Sequence, residues 1–216
     1  MARPSGNLDR NVGEVVVKRV LMIAFHFPPM LGSSGLQRTL KFTRYLPDHG
    51  WQPIVLSANA KVYQATSDAQ LGEIGATAVV RRAWSLDAAR DLSIRGAYPS
   101  WLALPDRWAS WWLGAVPAGL ALIRRYRPDA IWSTFPIATS HLIGLTLARY
   151  SGLPWIADFR DSMTEEHYPA DARTRRVYRW IERHTVNRCR AAVFTTPGAA
   201  RMYAARYPEI PSERFR

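Results

Sequence analysis

The chain has 216 residues, enough for one sizeable domain, and 48% of them are hydrophobic, which excludes wholesale disorder. Its 29 lysines and arginines against 17 acidic residues give a formal net charge of +12, which favours an acidic partner. One cysteine, Cys189, excludes an intrachain disulfide and a thiolate metal site, so we expect a reducing compartment. The polar N-terminus lacks a signal-peptide core, and no apolar run reaches the ~20 residues that span a bilayer, so we expect a cytoplasmic protein.

The pattern of apolar residues predicts strands that alternate with helices over one domain, residues 15–216, after a flexible tail, residues 1–14. The predicted strands cover 18–25, 51–57, 77–83, 130–133, 154–157 and 191–195. The predicted helices cover 35–47, 68–75, 111–126, 138–151, 171–190 and 197–207. Such alternation predicts an α/β fold, a Rossmann-like parallel sheet with helices on both faces, which binds ligands at the carboxyl ends of its strands.

The first predicted strand runs through a small-residue loop directly into a helix. The loop consists of Gly32, Ser33, Ser34 and Gly35, and its free amides and the helix dipole favour a phosphate or carboxylate. Arg38 follows early in the helix, where a cation is unfavourable, and it therefore indicates an anionic ligand or a carboxylate partner. The alternatives are a simple tight turn for the loop and a solvated surface residue for Arg38.

Polar residues also follow two later strands. Ser133 and Thr134 end the strand 130–133, and Asp158, Arg160 and Asp161 come just after the strand 154–157. We expect them at the same edge of the sheet as the first loop, where they can bind substrate. Asp161 is a candidate general base that takes the proton of an acceptor hydroxyl. The alternative is an internal Asp–Arg ion pair that braces the loop.

Several motifs, in this order, resemble the N-terminal domain of family 4 (group 1) glycosyltransferases, which have the GT-B fold. They are Phe27-Pro28-Pro29, Gly32-Ser33-Ser34-Gly35 with Arg38, His49-Gly50-Trp51, Pro105-Asp106, residues 127–133, residues 153–161 and residues 192–198. In that family two Rossmann-like domains face each other across a cleft. The N-terminal domain mainly holds the acceptor, and the C-terminal domain mainly holds the nucleotide sugar. The sequence resembles the N-terminal domain only.

The resemblance implies sugar transfer from a nucleotide-sugar donor to a glycan or lipid-linked acceptor, in cell-envelope polysaccharide biosynthesis. This chain is then the acceptor-binding half, and we expect it to be inactive alone. Either it is a truncated or split product, or a separate chain supplies the donor domain. No cofactor is implied, because the nucleotide sugar is a co-substrate, and the histidines lack the spacing of a metal site. The loop Trp132-Ser133-Thr134-Phe135 lacks the histidine that many relatives carry there, so that role does not transfer.

The predicted helix 171–190 is basic and amphipathic. Its arginines, between Arg173 and Arg190, indicate peripheral contact with the inner face of a membrane. The alternative is a core-packed helix with a solvated basic face, whose apolar stripe consists of Val177, Trp180, Ile181 and His184. A different class of function is a non-catalytic nucleotide- or nucleic-acid-binding module. The sequence disfavours a nucleic-acid partner, because no recognised binding motif accompanies the positive charge.

Overall fold

The structure, a computed structural model, describes residues 17–32 and 34–216 and contains one parallel sheet surrounded by helices. The strands are β1 (Lys18–Ile23), β2 (Trp51–Ala58), β3 (Val79–Ala83), β4 (Ala130–Thr134), β5 (Trp155–Arg160) and β6 (Ala191–Phe194). The helices are α1 (Ser34–Tyr45), α2 (Ala88–Asp91), α3 (Trp111–Tyr126), α4 (Ala138–Ser151), α5 (Ala172–Arg188) and α6 (Pro197–Arg206). The predicted tail, residues 1–14, lies outside the described residues.

The strand order is β3-β2-β1-β4-β5-β6, and every neighbouring pair is parallel. The chain builds outward from β1 first in one direction and then in the other, so the order reverses between β1 and β4. At such a reversal the loops diverge and leave a crevice at the carboxyl edge of the sheet. The register sets Ile23 beside Ser133 and Thr134 beside Asp158. The polar residues that follow β1, β4 and β5 therefore meet at one edge.

The two faces of the sheet are covered unequally. Helices α3, α4 and α5 close one face over a large apolar core, to which the central strands contribute Leu21, Ile23 and Ile131. The other face carries a smaller apolar cluster that includes Met22 and Trp132. Between α1 and strands β4 to β6 this second face forms an open apolar groove of about 270 Å³. The central strands are apolar on both faces, as expected of a buried parallel sheet.

The predicted fold class is confirmed, and α3 and α4 have the predicted bounds. The helix predicted over 68–75 is instead a 3₁₀ turn, Asp68–Glu73. Its sequence, Asp-Ala-Gln-Leu-Gly-Glu, offers no continuous apolar face, so little packing favours a full α-helix there.

The predicted apolar stripe of α5 is wrong at two positions. Trp180 is 50% exposed and His184 is also exposed, whereas Glu182 and Thr185 are buried. The helix can bury Glu182 because Arg206 and three hydroxyl groups compensate its charge. A prediction that places only apolar residues on the buried face of a helix misses a buried carboxylate that has such partners.

Candidate functional site

The loop after β1 enters α1 through a backbone turn that requires glycine. Gly32 has φ +89°, a conformation that side chains disfavour. Helix α1 begins at Ser34, and Gly35 is buried in its first turn. Ser33 and the side chain of Ser34 lie outside the described residues. At Gly32 and Gly35 the loop thus brings backbone rather than side chains to the carboxyl edge of β1.

Arg38 and Asp158 form an ion pair across this edge. The Arg38 Nη1 atom lies 2.7 Å from the Asp158 Oδ1 atom, and the Thr134 hydroxyl donates to Oδ2 at 2.9 Å. Asp158 is fully buried, whereas the Arg38 side chain is 31% exposed. Burial raises the pKa of Asp158, while Arg38, Thr134 and Arg160 oppose this rise. The carboxylate partner expected for Arg38 is therefore present, and it joins α1 to β5.

The prediction that β5 ends at Ala157 is wrong, because the strand continues to Arg160. Its pairing with β6 shifts by one residue between Asp158 and Arg160, and Arg160 has φ +56°. The irregularity leaves Phe159 without a partner in β6 while Arg160 pairs with Phe194, and the Thr195 hydroxyl donates to the Arg160 carbonyl at 2.7 Å. Non-glycine residues rarely adopt this conformation, and such strain clusters at functional sites.

Asp161 follows directly after Arg160 and is exposed. No hydrogen bond or ion pair joins its side chain to another residue in the described ranges. The Arg160 Nη1 atom lies 3.5 Å from the Phe135 carbonyl oxygen, so the guanidinium reaches across toward the loop after β4. Asp161 is therefore the one predicted site carboxylate that stands open to solvent among the described residues.

His26 is a site residue that the sequence reasoning did not single out. It lines a small recess together with Gly35, Thr134 and Arg160. Burial, with the Arg160 guanidinium as a second cause, lowers its pKa to about 4, so the imidazole is neutral at pH 7. The sequence signal was present, since His26 directly follows the predicted strand 18–25. The spacing of the histidines indicates whether they can share a metal ion, and it gives no information about a single histidine near a strand end.

Ser133, predicted to bind substrate, lies in the core. The Trp155 Nε1 atom donates to the Ser133 hydroxyl at 2.8 Å, and that hydroxyl contacts the His141 Nδ1 atom, also at 2.8 Å. All three residues are buried, and burial lowers the pKa of His141 to about 3. The Ser133 hydroxyl thus holds β4, β5 and α4 together, one residue away from the site edge.

Asp106, part of a motif behind the resemblance, has a structural partner. Its carboxylate accepts from the backbone N–H of Thr139 at 2.8 Å and from the Thr139 hydroxyl at 2.9 Å. It also accepts from the Trp108 N–H at 3.1 Å, and burial raises its pKa. Asp106 therefore stabilises the first turn of α4, whose backbone donors need such a partner.

The carboxyl edge brings together most of the predicted site residues. The members with described positions are Gly32, Gly35, Arg38, Thr134, Asp158, Arg160 and Asp161, and His26 joins them. Within the described ranges, no group of three histidine, cysteine, aspartate or glutamate residues is placed to hold a metal ion. The edge can offer two guanidinium groups, a neutral imidazole and an exposed carboxylate to a ligand.

The sequence matches the model of the glycosyl transferase 4-like domain over residues 34–216. The chain belongs to this family. It is a glycosyltransferase-like domain, in agreement with the resemblance found from its motifs. A search of curated proteins found no match.

Solved structures of glycosyltransferases share the fold of this domain. Sucrose-phosphate synthase from Thermosynechococcus elongatus is 14% identical over 88% of this chain and 45% of that chain, with a TM-score of 0.61. Phytolacca americana UGT2, complexed with UDP-2fluoro-glucose and pterostilbene, is 14% identical over 90% of this chain and 52% of that chain, with a TM-score of 0.60. LpCGTa in complex with UDP is 16% identical over 89% of this chain and 51% of that chain, with a TM-score of 0.58.

The glycosyl transferase 4-like domain described here spans about half the length of these structures. At such low identity the likeness concerns the fold, which is that of the N-terminal Rossmann-like half of a GT-B enzyme. In the described part of the chain, none of the helices combines the length and apolarity needed to cross a membrane.

Proposed function

We propose that this domain is the acceptor-binding half of a sugar transferase. The donor is a nucleotide sugar, and the acceptor is a glycan or a lipid-linked glycan. The observation that carries the proposal is the recess that Arg160 shares with Gly35 of the β1–α1 loop and with Thr134, next to the point where the strand order reverses and within a domain of this family. Asp161 follows Arg160 directly in the chain. The UDP in the LpCGTa structure and the UDP-2fluoro-glucose in the UGT2 structure support a nucleotide sugar as co-substrate.

Each group at the edge has a role that its chemistry suits. Arg160 and the loop amides around Gly32 and Gly35 contact the diphosphate, whose charge grows as the sugar departs. Asp161 accepts the proton of the acceptor hydroxyl, because it is the exposed carboxylate next to that cation. Arg38 remains paired with Asp158 and fixes the end of β5. Transfer needs no resident metal or cofactor in this account.

A second domain completes the site. The donor and acceptor must be held in line before transfer can occur, so we expect the chain to be nearly inactive without a donor-binding domain, which a separate chain can supply. We place the reaction in the cytoplasm, at the inner face of the membrane, in cell-envelope polysaccharide biosynthesis. The single, buried Cys189 and the basic surface of α5 support this location.

Titration with UDP tests the binding half of the proposal. We expect Arg160→Asn to weaken UDP binding at least 10-fold, because a charge-assisted hydrogen bond contributes roughly 1.5–3 kcal/mol. Asparagine tolerates the positive φ of Arg160, so the backbone is preserved. Arg201→Asn is the matched control, since Arg201 is an exposed arginine of α6. Equal losses in both variants would show that UDP binding follows net charge and would overturn the proposal.

The catalytic half is tested by transfer after a donor-binding domain is added. Asp161→Asn removes the proposed base, and we expect turnover to fall by at least 100-fold, the lower range for acid–base catalysis. UDP binding should be unchanged in this variant, because Asp161 does not contact the diphosphate in the proposed arrangement. Retained turnover would exclude Asp161 as the base but would leave the binding site intact.

A further inference from the structure

Helices α3, α4 and α5 form the layer that closes one face of the sheet, and the charged residues on the outer surface of these helices are positive. Their sequences contain two arginines in α3, one in α4 and six in α5. The single acidic residue within these three helices is Glu182, which is buried and paired with Arg206. Eight of the arginines are exposed, namely Arg124, Arg125, Arg149, Arg173, Arg176, Arg179, Arg183 and Arg188. A surface with this excess of positive charge attracts a polyanion.

An apolar groove of about 1020 Å³ runs through this cationic surface between the three helices. Its apolar lining comes from α3 and α4 and comprises Trp112, Val116, Leu120, Leu142 and Leu145. An apolar groove that opens on the outside of a helical layer can take up apolar groups of a partner.

Aromatic residues and arginines flank the groove. Trp180 is 50% exposed and Tyr150 is 73% exposed, and both line it. Arg149 and Arg188 line it as well, at the C-terminal ends of α4 and α5. Tryptophan and tyrosine favour the membrane–water interface, and arginine can lay its aliphatic part on apolar surface while its charge stays in water.

The geometry points to an anionic phospholipid bilayer as the partner of this surface. Acidic headgroups pair with the exposed arginines, and the groove with Trp180 and Tyr150 takes up apolar chain segments at the interface. A second copy of the chain is a poor occupant, because two such faces would bring arginines against arginines. Nucleic acid matches the charge, but the valine and leucine side chains of the groove add nothing to its binding. The proposal extends beyond α5 to the whole layer and does not depend on sugar transfer.

Vesicle flotation with the purified chain tests the proposal. We expect binding to phosphatidylcholine vesicles with about 30% phosphatidylglycerol, and no binding to pure phosphatidylcholine, at ~0.1 M NaCl. The combined variant Arg179→Gln, Arg183→Gln and Arg188→Gln should bind about 100-fold more weakly, since each arginine near an acidic surface contributes about five-fold. The groove makes a separate contribution, so Trp180→Ala should weaken binding several-fold at unchanged charge.

A charge-matched control separates this face from net charge. Arg44, Arg81 and Arg201 are exposed arginines outside the three helices, and their combined change to glutamine removes the same charge. This control should float like the wild type. Arg124→Gln, Arg125→Gln and Arg149→Gln on α3 and α4 provide a second test on the proposed face, should the α5 variant fail to fold, and should weaken binding similarly.

Three results would overturn the inference. The first is equal flotation on neutral and acidic vesicles, or none on either. The second is an equal loss of binding in the control variant. The third is tight binding to duplex DNA, lost in the α5 variant, without binding to acidic vesicles, which would assign the surface to nucleic acid instead.

Discussion

Two polar clusters in this molecule are each built around a buried carboxylate and an arginine. In the strand-edge cluster, Asp158 pairs with Arg38 and accepts from Thr134. In the α5–α6 cluster, Glu182 pairs with Arg206 at 2.8 Å. The exposed fractions of the two arginine side chains are nearly equal, 31% and 29%, so arginine exposure does not distinguish the clusters.

The number of donors does distinguish them. Besides Arg206, Glu182 accepts from the hydroxyls of Thr164, Tyr203 and Tyr207, at 3.0, 2.9 and 2.7 Å. Its four partners come from α6, from the segment that follows it and from the loop after β5, and they tie these parts to α5. Asp158 has half as many side-chain partners and lies on β5, beside Thr134 of β4 and one strand away from the point where the strand order reverses. A buried carboxylate that accepts from four side-chain donors indicates a structural role. A carboxylate with fewer donors, at the carboxyl edge of a parallel sheet, indicates a ligand-binding site.

The largest expected effect comes from removing the charge of Glu182. We expect Glu182→Gln to lower the free energy of unfolding by about 3–5 kcal/mol, because Arg206 then lacks a counter-charge and an amide accepts fewer of the four donors. Asp158→Asn should cost about 1–2 kcal/mol, because its amide oxygen still serves one of two donors. Urea unfolding measures both, with the exposed Glu209→Gln as control. A larger loss in Asp158→Asn would reverse the assignment of the two clusters.

The next effect is a loss of stability in acid. The pKa values of His26 and His141 are lowered to about 4 and about 3, against 6.5 when unfolded. As the pH falls, these histidines are protonated in the unfolded chain before they are protonated in the folded one. Their contribution to the free energy of unfolding is therefore fully present above pH 6.5 and is lost as the pH drops toward 4. His26→Gln should reduce this fall by about 2 kcal/mol, allowing for partial exposure of the ring. The exposed His167→Gln serves as control, and identical pH profiles for His26→Gln and wild type would contradict the lowered pKa.

The smallest effects come from removing one hydroxyl donor from each cluster. Tyr207→Phe and Thr134→Val should each cost about 1 kcal/mol of stability, the usual contribution of one hydrogen bond. They should differ in ligand binding, because Thr134 lines the recess beside His26 and Arg160, whereas Tyr207 contacts Glu182. Thermal unfolding gives the first quantity and UDP titration the second. If Tyr207→Phe changed the affinity for UDP and Thr134→Val did not, UDP would bind at the α5–α6 cluster and not at the strand-edge cluster.

The order of strands and helices could be predicted from the sequence because apolar periodicity is local. The bounds of α3 and α4 were correct, since Pro128 and Gly152 follow clear apolar patterns. The end of β5 was missed because Asp158 looks like a loop residue until its partner Arg38, 120 residues away, is known. Long-range pairing of this kind leaves no periodic signal.

The site was predicted in outline but not in detail. The sequence correctly predicted that the three strand ends meet at one edge of the sheet, because parallel strands place their carboxyl ends together. Which side chain faces the edge depends on the register and on irregular backbone. Ser133 points into the core while its neighbour Thr134 lines the recess, and His26 becomes a site residue once β1 and β4 are adjacent.

The most direct measurement is an NMR map of the backbone amides that shift when UDP is added to the chain. We predict shifts at Gly32, Gly35, Phe135 and Arg160, at the carboxyl edge of the sheet. The amides of Thr164 and Tyr203, in the α5–α6 cluster, should not move. Shifts confined to the α5–α6 cluster, or none at the strand ends under saturating UDP, would contradict the proposal that the strand-edge cluster contacts the donor diphosphate.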